Sequence, residues 1–565
     1  MKKQTRFFAF LLTLLLTITS CSNFSIPSNI NTAFENFTYC IFKEEVASNT
    51  LNLHYTLQSP ENFGITNPPI TLGSFEIDES AALASIENLE SALHKFSYKH
   101  LSEKNKLTYD ILSYHFSTSK NNILFHLYDE PLSPTTGIHA QLPVLLAEYH
   151  FYSTKDVDTY LALLKTIPDY FSSLIRFEKQ KLNAGLFMSD ALVDTVIEQC
   201  NGFLSMGDNN YLLSSFEERL NNIEHLTQTQ KNSYISQNKS EVFSSVVPAY
   251  ETLKNALNDM KGSVPLTQGL CSEENGKKYY AHLVSTATGS GKNINELKKM
   301  IQKQISSDLL SMNPNATTET ISTSQPPMTI LESLKTQISN TFPKSATVKT
   351  QIKYVPKPLE PHLSPAFYLI PAIDNFEDNT IYINQAYSLN QVDLFTTLAH
   401  EGYPGHLYQT TYFANTNPLP IRSLLNFPGY VEGWATYAEM CSYSLLPLNA
   451  DYANLLQKNN SIILGLYATA DIGIHYDGWS LNDTQNYFHR YGITDNSVIQ
   501  EIYEYIVGDP ANYLTYYIGY LEILELKREL IAKEKENFSQ IEFHKKLLDI
   551  GPAPFEIIKK YLIET

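Results

Sequence analysis

Residues 389–413 read LNQVDLFTTLAHEGYPGHLYQTTYF. Leu389 to Glu401 carries a helical period, with Leu394 and Leu398 on one apolar face and Asn390 where a cap would stand. His400-Glu401 followed by His406 is close to the H-E-x-x-H pattern. In that pattern two histidines four apart share a helix face and converge on one metal, while the Glu holds a water. Here the second His comes six residues after the first. On an unbroken helix that is about 600° of turn, which is the wrong side. Pro404 and Gly405 intervene, however. Pro interrupts a helix and Gly lets the backbone turn. The expectation is a local unwinding that returns His406 to the neighbourhood of His400.

Downstream, residues 431–439 read VEGWATYAE. Glu432, Thr436 and Glu439 share one helix face beside apolar Val431, Ala435 and Ala438, so the carboxylates are expected to point into a site. Two His and one Glu with an open fourth position form a catalytic zinc set. Glu439 stays open between a supporting role and a solvated one.

Outward from this segment the pattern is helical. Ala82, Leu83, Ile86, Leu89, Leu93 and Phe96 recur at threes and fours, and 156–182, 187–206, 211–260 and 293–312 repeat the style. Residues 313–328 read as a polar loop. Residues 346–385 differ and read as short strands with a turn at Asp374–Asn379. Tyr382 and Asn384, in TIYIN, either line a cleft or belong to an ordinary edge strand; the edge strand is the expectation. The fold class is mainly α with a small strand-bearing patch near the site.

STATGSGK at 285–292 imitates a phosphate-binding loop. Thr286 stands where that loop needs Gly, and Asn293 where it needs Ser or Thr. A turn opening a helix at Asn293 is the better reading.

The chain has 565 residues and opens MKKQTRFFAFLLTLLLTITSC. Lys2, Lys3 and Arg6 precede an apolar run from Phe7 to Ile18, too short for an ordinary membrane span. Ile18-Thr19-Ser20-Cys21 resembles a bacterial lipobox, implying cleavage after Ser20 and a lipid on Cys21. The expected organisation is a lipoprotein signal peptide (1–20), a tether (21–45), an N-terminal helical half (46–340) and a C-terminal half carrying the metal site (341–565). Cys40, Cys200, Cys271 and Cys441 are scattered, which argues against a cysteine zinc site and leaves their pairing open. The formal charge is −18, and only 18% of residues are charged. Such a balance argues against general nucleic-acid binding.

Beyond these readings there is a resemblance. HEGYPGHLYQ, VEGWATYAE, DIGIHYDGWS at 471–480 and DPANYLTYYIGYLEILELK at 509–527 follow the motif order of a bacterial family, the domain of unknown function numbered 885. YYAHLVSTATG at 279–289 and FHKKLLDIGPAPFEII at 543–558 fit it too. The resemblance runs from about residue 45 to 565. That family, with many predicted lipoproteins, is itself similar to helical zinc peptidases such as neurolysin and angiotensin-converting enzyme.

The resemblance implies a large helical, metallopeptidase-like (gluzincin-like) body with a deep cleft. It implies His400, His406 and Glu432 as ligands of one Zn2+ per chain, and Glu401 as general base. His475 and Tyr516 become the donors to a developing oxyanion, with Asp471 orienting His475 from four residues away. Tyr516 is chosen over Tyr513, Tyr517 and Tyr520 of the same helix. Leu407 and Tyr517 depart from the family, many of whose members carry His and Lys there.

The expected function is zinc-dependent hydrolysis of short peptides by an extracytoplasmic protein held to the membrane through Cys21. The alternatives are a metal-dependent amidase acting on cell-wall fragments and a non-catalytic lipoprotein that binds peptides or metal.

Overall fold

The computed structural model describes residues 29–564 except 135, 263–268, 322–323, 358–359 and 361–362. The expected signal peptide (1–20) and Cys21 lie outside the described residues. Helices dominate, with one small sheet between residues 349 and 383. Among the described residues no helix is long and apolar enough to cross a membrane.

The sheet explains how the molecule is partitioned. Strands β1 (Lys349–Tyr354), β2 (Ala366–Leu369) and β3 (Asp378–Ile383) lie in the order β1-β3-β2. β3 pairs parallel with β1 and antiparallel with β2. Side chains alternate across a strand. Phe367 and Tyr382, stacked at 4.9 Å, therefore face one core, while Ala366, Tyr368, Ile381 and Ile383 face another. The sheet is a wall between the two. β1 is mostly exposed and carries Lys349 and Lys353, charges that discourage edge-to-edge pairing.

The smaller core gathers residues from Leu51 to Met260 with Val355, Leu363, Phe367 and Tyr382. The larger one runs from Ala33 to Leu562. Both draw on residues either side of 340, so the expected division there marks no boundary in packing.

The tether expected up to residue 45 is shorter than that. Ile30–Ala47 is a helix capped by Asn29, whose side chain accepts from the N–H groups of Asn31 and Thr32. Phe34, Phe37, Ile41 and Phe42 are buried, and this helical stripe anchors the segment in the larger core.

The phosphate-loop imitation resolves as a helix-to-helix turn. Gly289 ends Gly276–Thr288 in the left-handed conformation, and Asn293 opens Ile294–Ser311 with a capping box to Glu296. Ser290 and Lys292 both bond Glu522, at 2.5 and 2.8 Å. Cys200, Cys271 and Cys441 are free thiols.

Candidate metal centre

The helix Gln391–Glu401 begins as its sequence predicts, with Asn390 accepting from the N–H groups of Val392 and Asp393. Leu394, Leu398 and Ala399 are buried and fix the face that points inward. The helix stops at Glu401, and His406–Asn415 starts a new one. Between them the backbone folds back on itself: Gly405 N–H donates to Ala399 C=O at 2.9 Å, and Tyr408 N–H to Gly402 C=O at 3.1 Å. A Cβ on Gly405 would sit 1.7 Å from the His400 carbonyl oxygen, so only glycine allows this approach. Trp434 Nε1 pins the turn by donating to Pro404 C=O at 2.8 Å. The result is that the His400 and His406 rings meet edge to face with centroids 4.9 Å apart.

Glu432 arrives from the helix Pro428–Ser442. That helix packs on Asn512–Glu534 backbone to backbone, because a Cβ on Gly433 would lie 2.4 Å from the carbonyl carbon of Gly519. The close crossing carries Tyr516 to the same cavity as Glu432. Glu432 Oε2 lies 3.6 Å from His400 Nε2 and 3.4 Å from His406 Nε2. The donor atoms of His400, His406 and Glu432 all fall within 4.8 Å of one another, and no other such group of three occurs among the described residues. Tetrahedral zinc with bonds near 2.0–2.1 Å separates its ligand atoms by about 3.3 Å. The two imidazole–carboxylate spacings are of that size, so the donor set fits such an ion.

The remaining groups surround this triad. Glu439, about two turns along the same helix face from Glu432, places Oε2 3.2 Å from His400 Nδ1, and its Oε1 accepts from Asn460 Nδ2 at 3.0 Å. Glu439 is therefore buried against His400 and is not a solvated residue. Glu401 Oε2 accepts the backbone N–H of Tyr368 at 2.9 Å. Tyr516 stacks on His400 with centroids 6.3 Å apart. These groups and residues 364–368 line a cavity of about 90 Å³.

Electrostatics tie the cluster together. Burial pushes His400 down, but the hydrogen bonds of Glu432 and Glu439 outweigh it and lift the imidazole to about 10. Burial would raise Glu432, yet the two imidazoles hold it well below the usual carboxylate range. Glu401 is raised, chiefly by burial.

The sequence pattern of a family described as "Bacterial protein of unknown function (DUF885)" matches residues 76–562. The chain belongs to this bacterial family. A solved structure from Colwellia psychrerythraea, of a provisionally named lipoprotein, is similar in fold at 18% identity. That match has a TM-score of 0.81 and covers 95% of this chain and 99% of the other. A second, from Shewanella oneidensis, of a provisionally named lipoprotein of unknown function, aligns at 16% identity and a TM-score of 0.60. It also covers 95% of this chain and 99% of the other. No curated protein matches in sequence. At the two positions where this DUF885 chain departs from the expected family pattern, Leu407 and Tyr517 are fully buried, and neither lines the cavity beside His400.

His475 does not join the site. Its Nε2 donates to Ile506 C=O at 2.9 Å, its Nδ1 accepts from Leu270 N–H at 3.2 Å, and it stacks on Tyr280. Burial holds it neutral, at about 4. Asp471, expected to orient it, instead accepts from Tyr280 hydroxyl at 2.6 Å and Ala511 N–H at 3.1 Å. The cause is local. The helix Ala450–Ile472 widens into a π turn over Gly473–Asp477, so the four-residue spacing no longer means a shared face.

Tyr382 and Asn384 are also displaced from their expected setting. β3 is the central strand, Tyr382 hydroxyl donates to Glu148 Oε2 at 2.8 Å, and Asn384 Nδ2 donates to the carbonyls of Glu360 and Leu363. The edge strand beside the site is β2. Its part, and that of the Tyr368 N–H, left no side-chain signature in the sequence.

Proposed function

We propose that this chain is a zinc-dependent peptidase acting on short peptides. The observation that carries the reading is the convergence of His400, His406 and Glu432 on one point, with the carboxylate of Glu401 on the same helix end. His400, His406 and Glu432 would hold the ion, and Glu439 would steady His400 from behind. Zinc in such a set supplies Lewis acidity and lowers the pKa of water from about 15.7 towards 7.

The protein groups divide the remaining work. Glu401, steadied by the Tyr368 N–H, takes the proton of the attacking water and returns it to the leaving amine. Tyr516, whose ring lies against His400, donates its hydroxyl to the oxyanion that develops on the peptide carbonyl. β2 is an edge strand along the cavity, which suits an extended peptide laid beside it. His475 has no part in this scheme, since both of its ring nitrogens are bonded to backbone elsewhere.

The reading includes a location. The lipobox at Cys21 and the description of two structural relatives as lipoproteins support an extracytoplasmic protein anchored by lipid.

The test is turnover on two panels, one of short peptides and one of cell-wall fragments. Peptide cleavage that a chelator abolishes and zinc restores is the expected result. Cleavage of wall fragments alone would assign the amidase reading. No turnover on either panel by zinc-loaded protein would leave a binding lipoprotein.

A further inference from the structure

A second cavity of about 720 Å³ shares no lining residue with the metal cavity. Its size lies in the range of small-molecule sites, roughly 300–1,000 Å³. One wall is aromatic: Phe75 lies against both Tyr170, at 5.1 Å, and Phe177, at 6.0 Å, and Phe187 lines the same cavity.

The rest of the charge in the lining has one sign. Asp129, Glu130, Glu273, Glu274 and Asp509 face the cavity, and among the described residues no Lys or Arg does. The histidines there are His126, bonded to Ile123 C=O at 2.9 Å, and the neutral His475. Behind the wall, buried Lys181 donates to Glu130 Oε2 at 2.6 Å and to Asp129 C=O at 2.8 Å, and lies 3.8 Å from the fully buried Glu178. One ammonium is thus shared between the carboxylates of Glu130 and Glu178 and the Asp129 carbonyl. Glu130 Oε1 is buried with no hydrogen-bond partner. Burial raises Asp129 and Glu273 to about 7, and a cation bound beside them would draw both carboxyls back to the charged form.

A bare divalent ion does not fit this need. Among the described residues the acids here do not bring three ligand atoms together as the metal centre does. The space, the aromatic wall and the acid wall together suit an organic cation, which gains both from ring faces and from carboxylates.

We propose that this cavity is a second ligand site, for a small organic cation: an aliphatic amine, taken either free or as the basic side chain of a short peptide. The site is independent of the metal centre and of peptidase activity.

Isothermal titration of the purified full chain in detergent micelles tests it. The probes are cadaverine, blocked Ala-Lys-Ala and the neutral blocked Ala-norleucine-Ala. The titrations use metal-free protein, so that no peptide is cleaved during the measurement. At least one cationic probe binds one per chain, and the norleucine peptide binds at least about tenfold more weakly. Binding of cadaverine alone identifies a free amine as the ligand; binding of the lysine peptide alone identifies a basic side chain. Glu130→Gln weakens binding about tenfold or more. Glu273→Gln, which leaves the Lys181–Glu130 contact in place, does the same and covers the case in which the first variant fails to fold. His400→Ala leaves the binding unchanged, so failure of the metal reading and of this one are separable. Absence of binding by both cations at millimolar concentration, equal binding of the norleucine peptide, or unchanged affinity in folded Glu130→Gln and Glu273→Gln would overturn the proposal.

Discussion

Glu439 Oε2 stands 3.2 Å from Nδ1 of His400, on the side of the ring opposite to Glu432, which is 3.6 Å from Nε2. A carboxylate in that position fixes which nitrogen of the imidazole is offered forward and how the ring is turned. Replacing such a partner typically costs 10–100-fold in metal affinity. Glu439→Gln is therefore expected to weaken zinc binding by about that factor, measured by competition with a chromophoric chelator. Unchanged affinity would reduce Glu439 to a packing residue.

Gly405→Ala tests the turn that brings His406 back. Its Cβ would meet the His400 carbonyl oxygen at 1.7 Å, and backbone cannot step aside as a side-chain tip can. The expected outcome is a loss of about 1–3 kcal/mol in thermal or denaturant unfolding, with a matching loss of metal affinity. A variant as stable as wild type and with full metal affinity would mean that the turn tolerates another path.

Glu401→Gln separates holding the metal from using it. The substitution keeps size and the Tyr368 N–H bond but removes the base. Metal content should stay the same while peptide turnover falls about 10²–10⁴-fold. Full turnover in this variant would sink the assignment of Glu401 as base.

His475 makes a prediction about pH. Its folded pKa is lowered from 6.5 to about 4, so the folded chain binds fewer protons than the unfolded chain between those values. The neutral ring's contribution is present above pH 6.5 and is lost as pH falls towards 4. The full span is worth about 3 kcal/mol at 1.36 kcal/mol per unit. Unfolding curves of wild type and His475→Gln should therefore converge as pH falls through this window. Peptide turnover per folded molecule at pH above the window should differ little between them. A large drop in turnover without a drop in stability would return His475 to the active site.

Much of the centre was legible because its signals are local. Asn390, Leu394 and Leu398 define a capped helix by spacing alone, and Pro404-Gly405 announce its end. The strands between 349 and 383 stand out from helical surroundings by composition. What escaped the sequence is contact at a distance. Nothing in Gly433 or Gly519 says that two helices cross there, yet that crossing carries Tyr516 to Glu432. Tyr368 contributes a backbone N–H, which any residue has. His475 misled because an i, i+4 pair means a shared face only on an α-helix, and Gly473–Asp477 is wound wider. Ile30–Ala47 resembles a tether in sequence because its Asn and Thr residues dilute a stripe of Phe and Ile that packing picks out.

His400, His406 and Glu432 are proposed to bind a catalytic metal. The direct measurement is the metal content of purified protein beside that of His400→Ala, by elemental mass spectrometry. The account predicts about one zinc per chain in the wild type and its loss in the variant. A wild type that binds no zinc at neutral pH even when zinc is supplied, or a variant that retains it, would contradict the account.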